Sequence, residues 1–211
     1  MIMSKKENVL VAGANGTTGR IIINLLKESD NYKPIAMVRK QEQKDHFEKE
    51  NVSAVLGDLE EDLSHAVKNV DKVIFAAGSG GKNVIGVDQE GAKKLTDAAK
   101  KVGAGKFVML SSMGADDPSV SEDLKDYLKA KHNADEYLQS SGMNYSIVRP
   151  GSLTNEGSTG KIKLEKKLDK QGEISRADVA RTLVEVLDDG VKKNQVFEIL
   201  AGETPIENAV R

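Results

Sequence analysis

The chain contains no cysteine, which excludes disulfides, thiolate metal sites and a cysteine nucleophile. Aromatic residues make up only 4%, too few for the stacking platforms on which single-stranded nucleic acids are held. Charge of neither sign dominates: 31 Lys and Arg stand against 33 Asp and Glu, a net charge of -2. That balance gives no general pull toward nucleic acid, and no basic face is interleaved with aromatics. The three histidines, His46, His65 and His132, are scattered through polar stretches with no two at a ligand spacing, so no metal is expected. Long apolar runs are missing too: none approaches the ~20 residues a membrane span requires. Residues 1–8 are polar and carry no signal-peptide core. A cytoplasmic location is the expectation that follows.

What is present is an alternation. In 211 residues, 30% charged and 38% hydrophobic, apolar runs of four to six residues are separated by longer amphipathic stretches. That rhythm predicts a Rossmann-type α/β fold, a doubly wound parallel sheet with helices on both faces. Strands are expected at 9–12, 34–38, 53–56, 72–76, 106–110 and 145–148. Helices are expected at 18–27, 41–50, 87–101 and 122–141, the last two stopped by Gly103 and Gly142, with one or two helical turns at 63–67. After Pro150 the pattern loosens. A Gly/Ser/Thr loop at 151–160 is followed by a short strand within 161–168. A helix at 175–188 starts on a capping-box-like Ser175-Arg176-Ala177-Asp178, and a last strand lies at 196–200. No repeat or linker interrupts the chain, so residues 1–211 read as a single domain in which 151–211 form a small substrate-side elaboration.

Gly13-Ala14-Asn15-Gly16-Thr17-Thr18-Gly19 follows the first strand and opens the first helix. The first glycine permits the tight turn, the second lets backbone approach a pyrophosphate, and the third lets helix and strand pack closely. The phosphates would then meet free N–H groups at the positive end of the helix dipole. Gly-Lys-Ser/Thr, which a nucleoside triphosphate loop requires, does not occur there. A dinucleotide is therefore expected. An NAD site places an acid about 20 residues past the glycines to accept the ribose 2′-hydroxyl. Here Met37-Val38 leads into Arg39, 20 positions past Gly19. A guanidinium suits a 2′-phosphate, so NADP(H) is favoured over NAD(H). The alternative is an arginine merely solvated at a strand end.

On the helix at 122–141, Leu124, Tyr127, Leu128, Lys131, Ala134 and Leu138 form one stripe. Lys131 falls inside the apolar stripe, whereas Lys125 and Lys129 lie on the polar face. Tyr127 and Lys131 are four apart and so lie side by side. The ammonium favours the phenolate form of its neighbour, which fits proton transfer to or from a substrate oxygen.

Together with the Gly-x-x-Gly-x-x-Gly loop, Arg39, Gly57-Asp58-Leu59, Ala76-Ala77-Gly78, Ser111-Ser112 and Arg149-Pro150-Gly151, this arrangement resembles the atypical branch of the short-chain dehydrogenase/reductase superfamily. It looks like the NAD(P)-binding group named for NAD-dependent epimerase/dehydratase, or sugar-epimerase-like, proteins. The resemblance covers nearly the whole chain. It implies that Ser112 holds the substrate oxygen while Tyr127 moves the proton, Ser111 being the less favoured of the serine pair. It also implies that Asn15, Thr17 and Thr18 serve the phosphate loop, that Asp58 and Leu59 border the adenine, that Ala76, Ala77 and Gly78 pass beneath the cofactor, and that Pro150 and Gly151 lie near the nicotinamide. Two departures stand out. The Asn usual on the helix after the fourth strand is Asp88 here, either a member of a proton relay or a carboxylate at a helix start. Only about 60 residues follow Pro150, too few for a nucleotide-sugar lobe. The resulting expectation is an NADP(H)-dependent oxidoreductase acting on a small molecule. The competing readings are a non-catalytic NADP(H)-sensing regulator and a flavin or quinone reductase that does not use the tyrosine.

Overall fold

The computed structural model describes residues 5–168 and 170–211. Residue 169 and residues 1–4, the start of the polar N-terminal stretch discussed above, lie outside it. The chain runs β1 (Glu7–Ala12), α1 (Thr17–Glu28), β2 (Tyr32–Val38), α2 (Gln41–Lys49), β3 (Ser53–Leu56) and β4 (Lys72–Phe75). A π-helix (Val84–Gly91) then continues into α3 (Ala92–Lys101), followed by β5 (Lys106–Leu110), a 3-10 turn (Pro118–Val120), α4 (Lys125–Ser140) and β6 (Tyr145–Pro150). The remainder is β7 (Ser152–Thr154), β8 (Lys161–Glu165), β9 (Glu173–Ser175), α5 (Arg176–Glu185), β10 (Gln195–Ala201), β11 (Thr204–Pro205) and α6 (Ile206–Ala209).

The main sheet has the order β11-β8-β10-β6-β5-β4-β1-β2-β3. From β3 through β10 every pairing is parallel, and β8 is antiparallel to both β10 and β11. This is the Rossmann-type α/β fold the alternation predicts, with β10 and β8 added beyond β6. Both faces of the strands are apolar because both are covered. Val9 and Val11 of β1 face Ile22, Ile23 and Leu26 of α1 and Val179 and Leu183 of α5. Leu10 and Ala12 face the other way, into a core with Leu95 and Ala99 of α3 and Leu138 of α4. Because β2 and β3 lie to one side of β1 and β4 to the other, a crevice opens at the strand C-termini beside β1.

Several boundaries differ from the sequence pattern. Residues 63–67 form successive turns rather than helix. The Asp62 carboxylate accepts the Ser64 N–H and hydroxyl, a local bond that competes with helical continuation, while Leu63, Ala66 and Val67 are still buried. The helix expected from 87 begins at Val84 as a π-helix, its start capped by Asn83 Oδ1 on the Gly86 N–H at 3.0 Å. The helix expected from 122 begins at Lys125, which leaves Leu124 outside it and 52% exposed. The loop at 151–160 contains β7, which pairs with β9 in a separate two-stranded sheet.

The start of α5 is held by one carboxylate. Ser175 Oγ caps the Asp178 N–H at 3.0 Å and donates to Asp178 Oδ2 at 2.9 Å. Asp178 also accepts from Ser158 Oγ (2.6 Å), the Thr159 N–H (3.1 Å) and the Gly160 N–H (2.9 Å). Burial alone would raise the carboxyl's pKa, but these donors outweigh it and hold the pKa below the ordinary value. Asp178→Ala strands them and is expected to cost about 3 kcal/mol, read as a fall in urea midpoint. A group with a lowered folded pKa stabilises above its unfolded pKa. The wild-type advantage over the variant should therefore fade on acidification below about pH 4.

At the N-terminal ends of two central strands, Lys72 and Lys106 open β4 and β5 in register. Both ammonium groups are buried and cap the backbone just past α5. Lys72 donates to the Leu187 carbonyl (2.9 Å), and Lys106 to those of Asp188 and Val191 (2.7 Å each). Burial, then the nearby Lys72 charge, lowers the Lys106 pKa to about 8. The unfolded chain keeps that proton to about pH 10.4. Between pH 8 and 10 the unfolded state thus binds more protons, and this group's contribution makes stability rise with pH. Above pH 10 the raised tyrosines Tyr32, Tyr137 and Tyr145 oppose it. Urea midpoints measured from pH 7 to 10 should show the rise in the wild type and a flatter curve in Lys106→Met.

Candidate cofactor and active site

The glycine loop at residues 13–19 has the geometry its glycines require. Gly13 turns the chain at φ +84°, and a Cβ there would stand 2.7 Å from Ala76 and Ala77 backbone atoms of the chain leaving β4. A Cβ on Gly19 would overlap the Gly13 carbonyl oxygen. Gly16 is the N-cap of α1 in extended conformation (φ -75°, ψ 166°), and its N–H donates to the Gly13 carbonyl at 2.9 Å. No side chain caps this helix and no acid lies in its first turn. Its leading N–H groups and dipole therefore face the crevice, a seat for an anion.

The crevice has two arms that share Ala76, Ala77 and Gly78. The first arm, of about 310 Å3, is lined by Gly13, Asn15, Arg39, Asp58 and Leu59. Asn15 is fixed by Arg20, whose guanidinium donates to its Oδ1 at 2.6 Å and lies 5.4 Å from the Phe47 ring centroid. Arg39 is exposed at the mouth, and its backbone N–H is tied to Gln43 Oε1 at 3.3 Å. Asp58 Oδ1 accepts the Glu60 N–H at 3.0 Å, so it shapes the turn that it also lines. No acid occupies the strand end at residues 39–40, where a 2′-hydroxyl partner would stand.

The second arm, of about 890 Å3, is lined by Thr17 and Thr18 at the α1 N-terminus and by Asp88, Ser111, Tyr127 and Lys131. Residues far apart in sequence thus converge in one arm. Lys131 is buried, with Nζ 3.2 Å from Asp88 Oδ1, 3.4 Å from the Leu110 carbonyl and 5.6 Å from the Tyr127 ring centroid. Asp88 is 1% exposed, and its Oδ2 accepts the Ser79 N–H at 3.0 Å. Its Oδ1 has no aligned hydrogen bond, so charge pairing with Lys131 is what compensates this oxygen. The π-helix carries Asp88; such widened turns recur at functional sites. Asp88 lies in the middle of that element and lines the cleft.

The serine pair is placed differently from the expectation. Ser112, expected to hold the substrate oxygen, donates to the Met113 carbonyl at 3.2 Å and does not line the arm. Successive strand-end residues point to opposite sides, and Ser111 is the one facing the cleft. Pro150 and Gly151 are likewise absent from the lining. The Pro150 carbonyl accepts the Met113 N–H, and Gly151 packs so tightly on Gly172 and Leu200 that a Cβ would overlap them. Leu153 and Arg176 line that end instead. Arg176 is held by the Leu153 carbonyl (3.1 Å) and Asn155 Oδ1 (2.8 Å). These two residues escape a sequence reading because only the return of the C-terminal segment to α1 brings them to the cleft. Arg176 follows the recognisable cap Ser175, the one local sign that a helix terminus lies there.

Among the described residues no group of three His, Asp or Glu side chains could hold a metal ion, and no helix is long and apolar enough to cross a membrane. A family model described as NAD(P)H-binding matches residues 13–190. The Bacillus subtilis protein YhfK, designated an uncharacterized sugar epimerase, is 40% identical, with 96% of this chain and 98% of that one covered. A solved Bacillus halodurans structure carrying an NAD-dependent epimerase/dehydratase designation is 40% identical at a TM-score of 0.92, covering 97% and 98% of the two chains. Sanguinarine reductase of Eschscholzia californica is 29% identical over 93% of this chain and 89% of its own.

Proposed function

Since the chain belongs to the NAD(P)H-binding family within the atypical short-chain dehydrogenase/reductase proteins, we propose that it is an NADP(H)-dependent oxidoreductase acting on a small molecule. The observation that carries this reading is the convergence of Tyr127 and Lys131 with the uncapped N-terminus of α1 in one cleft. A regulator would need the dinucleotide seat alone. A dihydronicotinamide held in this cleft would supply the hydride. Tyr127 supplies the proton from its phenol to the substrate oxygen, or takes it in the reverse direction. Lys131, fixed by Asp88 and the Leu110 carbonyl, orients that phenol and the charge around it. Leu124 and Leu153 narrow the mouth and limit water.

An epimerase acting on nucleotide sugars is disfavoured by where residues 151–211 go. They spend β8, β10 and β11 on extending the main sheet rather than on a substrate lobe. The reductase name of the Eschscholzia relative supports the same side. We treat residues 1–211 as one cofactor-binding unit in which the C-terminal segment walls the substrate side.

For the cofactor, Arg39 at the mouth of the first arm and the absence of an acid beside it support NADP(H). Arg39→Ala is expected to weaken NADPH binding about tenfold or more, the scale of one charge-assisted contact, and to leave NADH affinity unchanged. Fluorescence titration with both dinucleotides checks this; equal losses for both would remove the preference. Turnover is tested by an NADPH-oxidation screen across carbonyls, quinones and flavins. Binding without turnover of any acceptor would point to the regulator.

A further inference from the structure

Behind the second arm lies a buried charged group that the reading above does not use. Asp135 is 0% exposed, one helical turn beyond Lys131 on α4. Its Oδ2 accepts two hydrogen bonds, from Ser111 Oγ at 2.8 Å and Arg149 Nε at 3.0 Å, and pairs with Arg149 Nη2 at 2.9 Å. Its Oδ1 is buried without a partner. Burial pushes the Asp135 carboxyl up from its ordinary range, and the Arg149 guanidinium acts against that. With Asp88 and Lys131 the set holds two anions and two cations, so the cleft floor is charge-balanced before anything binds.

The bonding fixes a polarity. A guanidinium only donates, and a carboxylate paired with it only accepts. The Ser111–Asp135 bond must therefore use the serine's single proton. Ser111 Oγ then turns lone pairs, not a proton, toward the cleft. A serine that stabilises a substrate carbonyl oxygen needs the opposite orientation.

We propose that Asp135, clamped by Arg149, is a positioning residue that makes Ser111 a hydrogen-bond acceptor, so that the cleft selects a ligand carrying an N–H or O–H donor at that point. The donor belongs either to the carboxamide of the dinucleotide or to the substrate beside its reacting atom. The proposal rests on the cofactor reading above but not on Tyr127 being catalytic. An unpaired buried acceptor is costly, and this sets the expected discrimination at about tenfold or more.

The experiment uses two ligand pairs that differ by one donor. NADP+ and its 3-acetylpyridine analogue, which lacks the carboxamide N–H, are compared by equilibrium titration. Isatin and N-methylisatin are compared by NADPH-dependent turnover and by competitive binding. The full-length wild type is expected to prefer the donor-bearing member of one pair, and the pair identifies the source. Ser111→Ala should abolish that preference. Asp135→Leu should abolish it as well, because with no carboxylate to accept it the Ser111 proton is free to turn toward the cleft. In the Ser111→Ala background Asp135→Leu should change nothing further in selectivity, while its loss of thermal stability persists in both backgrounds. That separation distinguishes positioning from mere support. If Asp135→Leu does not fold, combining it with Arg149→Met removes both charges together and serves the same comparison. The proposal is overturned if neither pair is discriminated, if the preference survives Ser111→Ala, or if the two substitutions act additively on it. The cofactor reading fails separately, if the wild type binds no nicotinamide dinucleotide. The catalytic reading fails separately again, if Tyr127→Phe leaves turnover intact.

Discussion

Gly16→Val is expected to weaken NADPH binding at least about a hundredfold, the loss of two or more charge-assisted hydrogen bonds, while leaving the fold in place. The two halves of that expectation have separate causes. Residue 16 sits at φ -75°, ψ 166°, a conformation open to every L-residue. A Cβ there would find only the Gly13 carbonyl oxygen, at 3.3 Å, a contact relieved by a small shift. The helix therefore forms. The valine methyls, however, stand over the first turn of α1, where a pyrophosphate must come within about 2.9 Å of backbone N–H groups. Gly19→Ala provides the contrast. Its Cβ would overlap the Gly13 carbonyl, so α1 must move off β1, and stability and binding should fall together. Isothermal titration with NADPH beside a urea melt separates the two. Unchanged affinity in a folded Gly16→Val protein would mean that the α1 N-terminus is not the phosphate seat.

That seat was legible because everything defining it is local: a strand, a turn and a helix start within residues 7–28, with glycines whose roles follow from backbone sterics. Tyr127 and Lys131 were legible for a similar reason, since spacing on one helix fixes their side. Legibility ended where tertiary structure decides. Whether Ser111 or Ser112 faces the cleft depends on how β5 leaves the sheet, and residue type does not carry that. Asp135 reads in sequence as an ordinary helix acid. The clue was its position four residues past Lys131 on the same stripe, combined with Arg149 inside an apolar strand, a buried cation in need of a partner. The π-helix is hidden because a 3.6-residue period fits only from Val87 onward, and one widened segment shifts the phase. The three-residue strands β7 and β9 are shorter than any periodicity can reveal. Leu153 and Arg176 reach the cleft only through the packing of α5 on α1.

Tyr127→Phe is expected to lower kcat by about a hundred- to ten-thousandfold, the range for removing a general acid or base, with NADPH affinity and thermal stability nearly unchanged. Tyr127 is only partly buried and anchors no other side chain through its hydroxyl among the described contacts, so loss of one oxygen leaves the packing alone. Lys131→Met should behave otherwise. It removes the cation paired with Asp88, which is 1% exposed, and an uncompensated buried carboxylate costs about 4 kcal/mol. Adding Asp88→Asn to Lys131→Met should restore most of that stability without restoring turnover, because the charge imbalance is gone while the group that orients the phenol is still missing. The three proteins together separate chemistry from support. If Tyr127→Phe retained full turnover on every acceptor while Lys131→Met lost it, the lysine would be acting on the cofactor or the fold alone. The flavin or quinone reductase, which needs no phenol, would then be the better account of the same cleft.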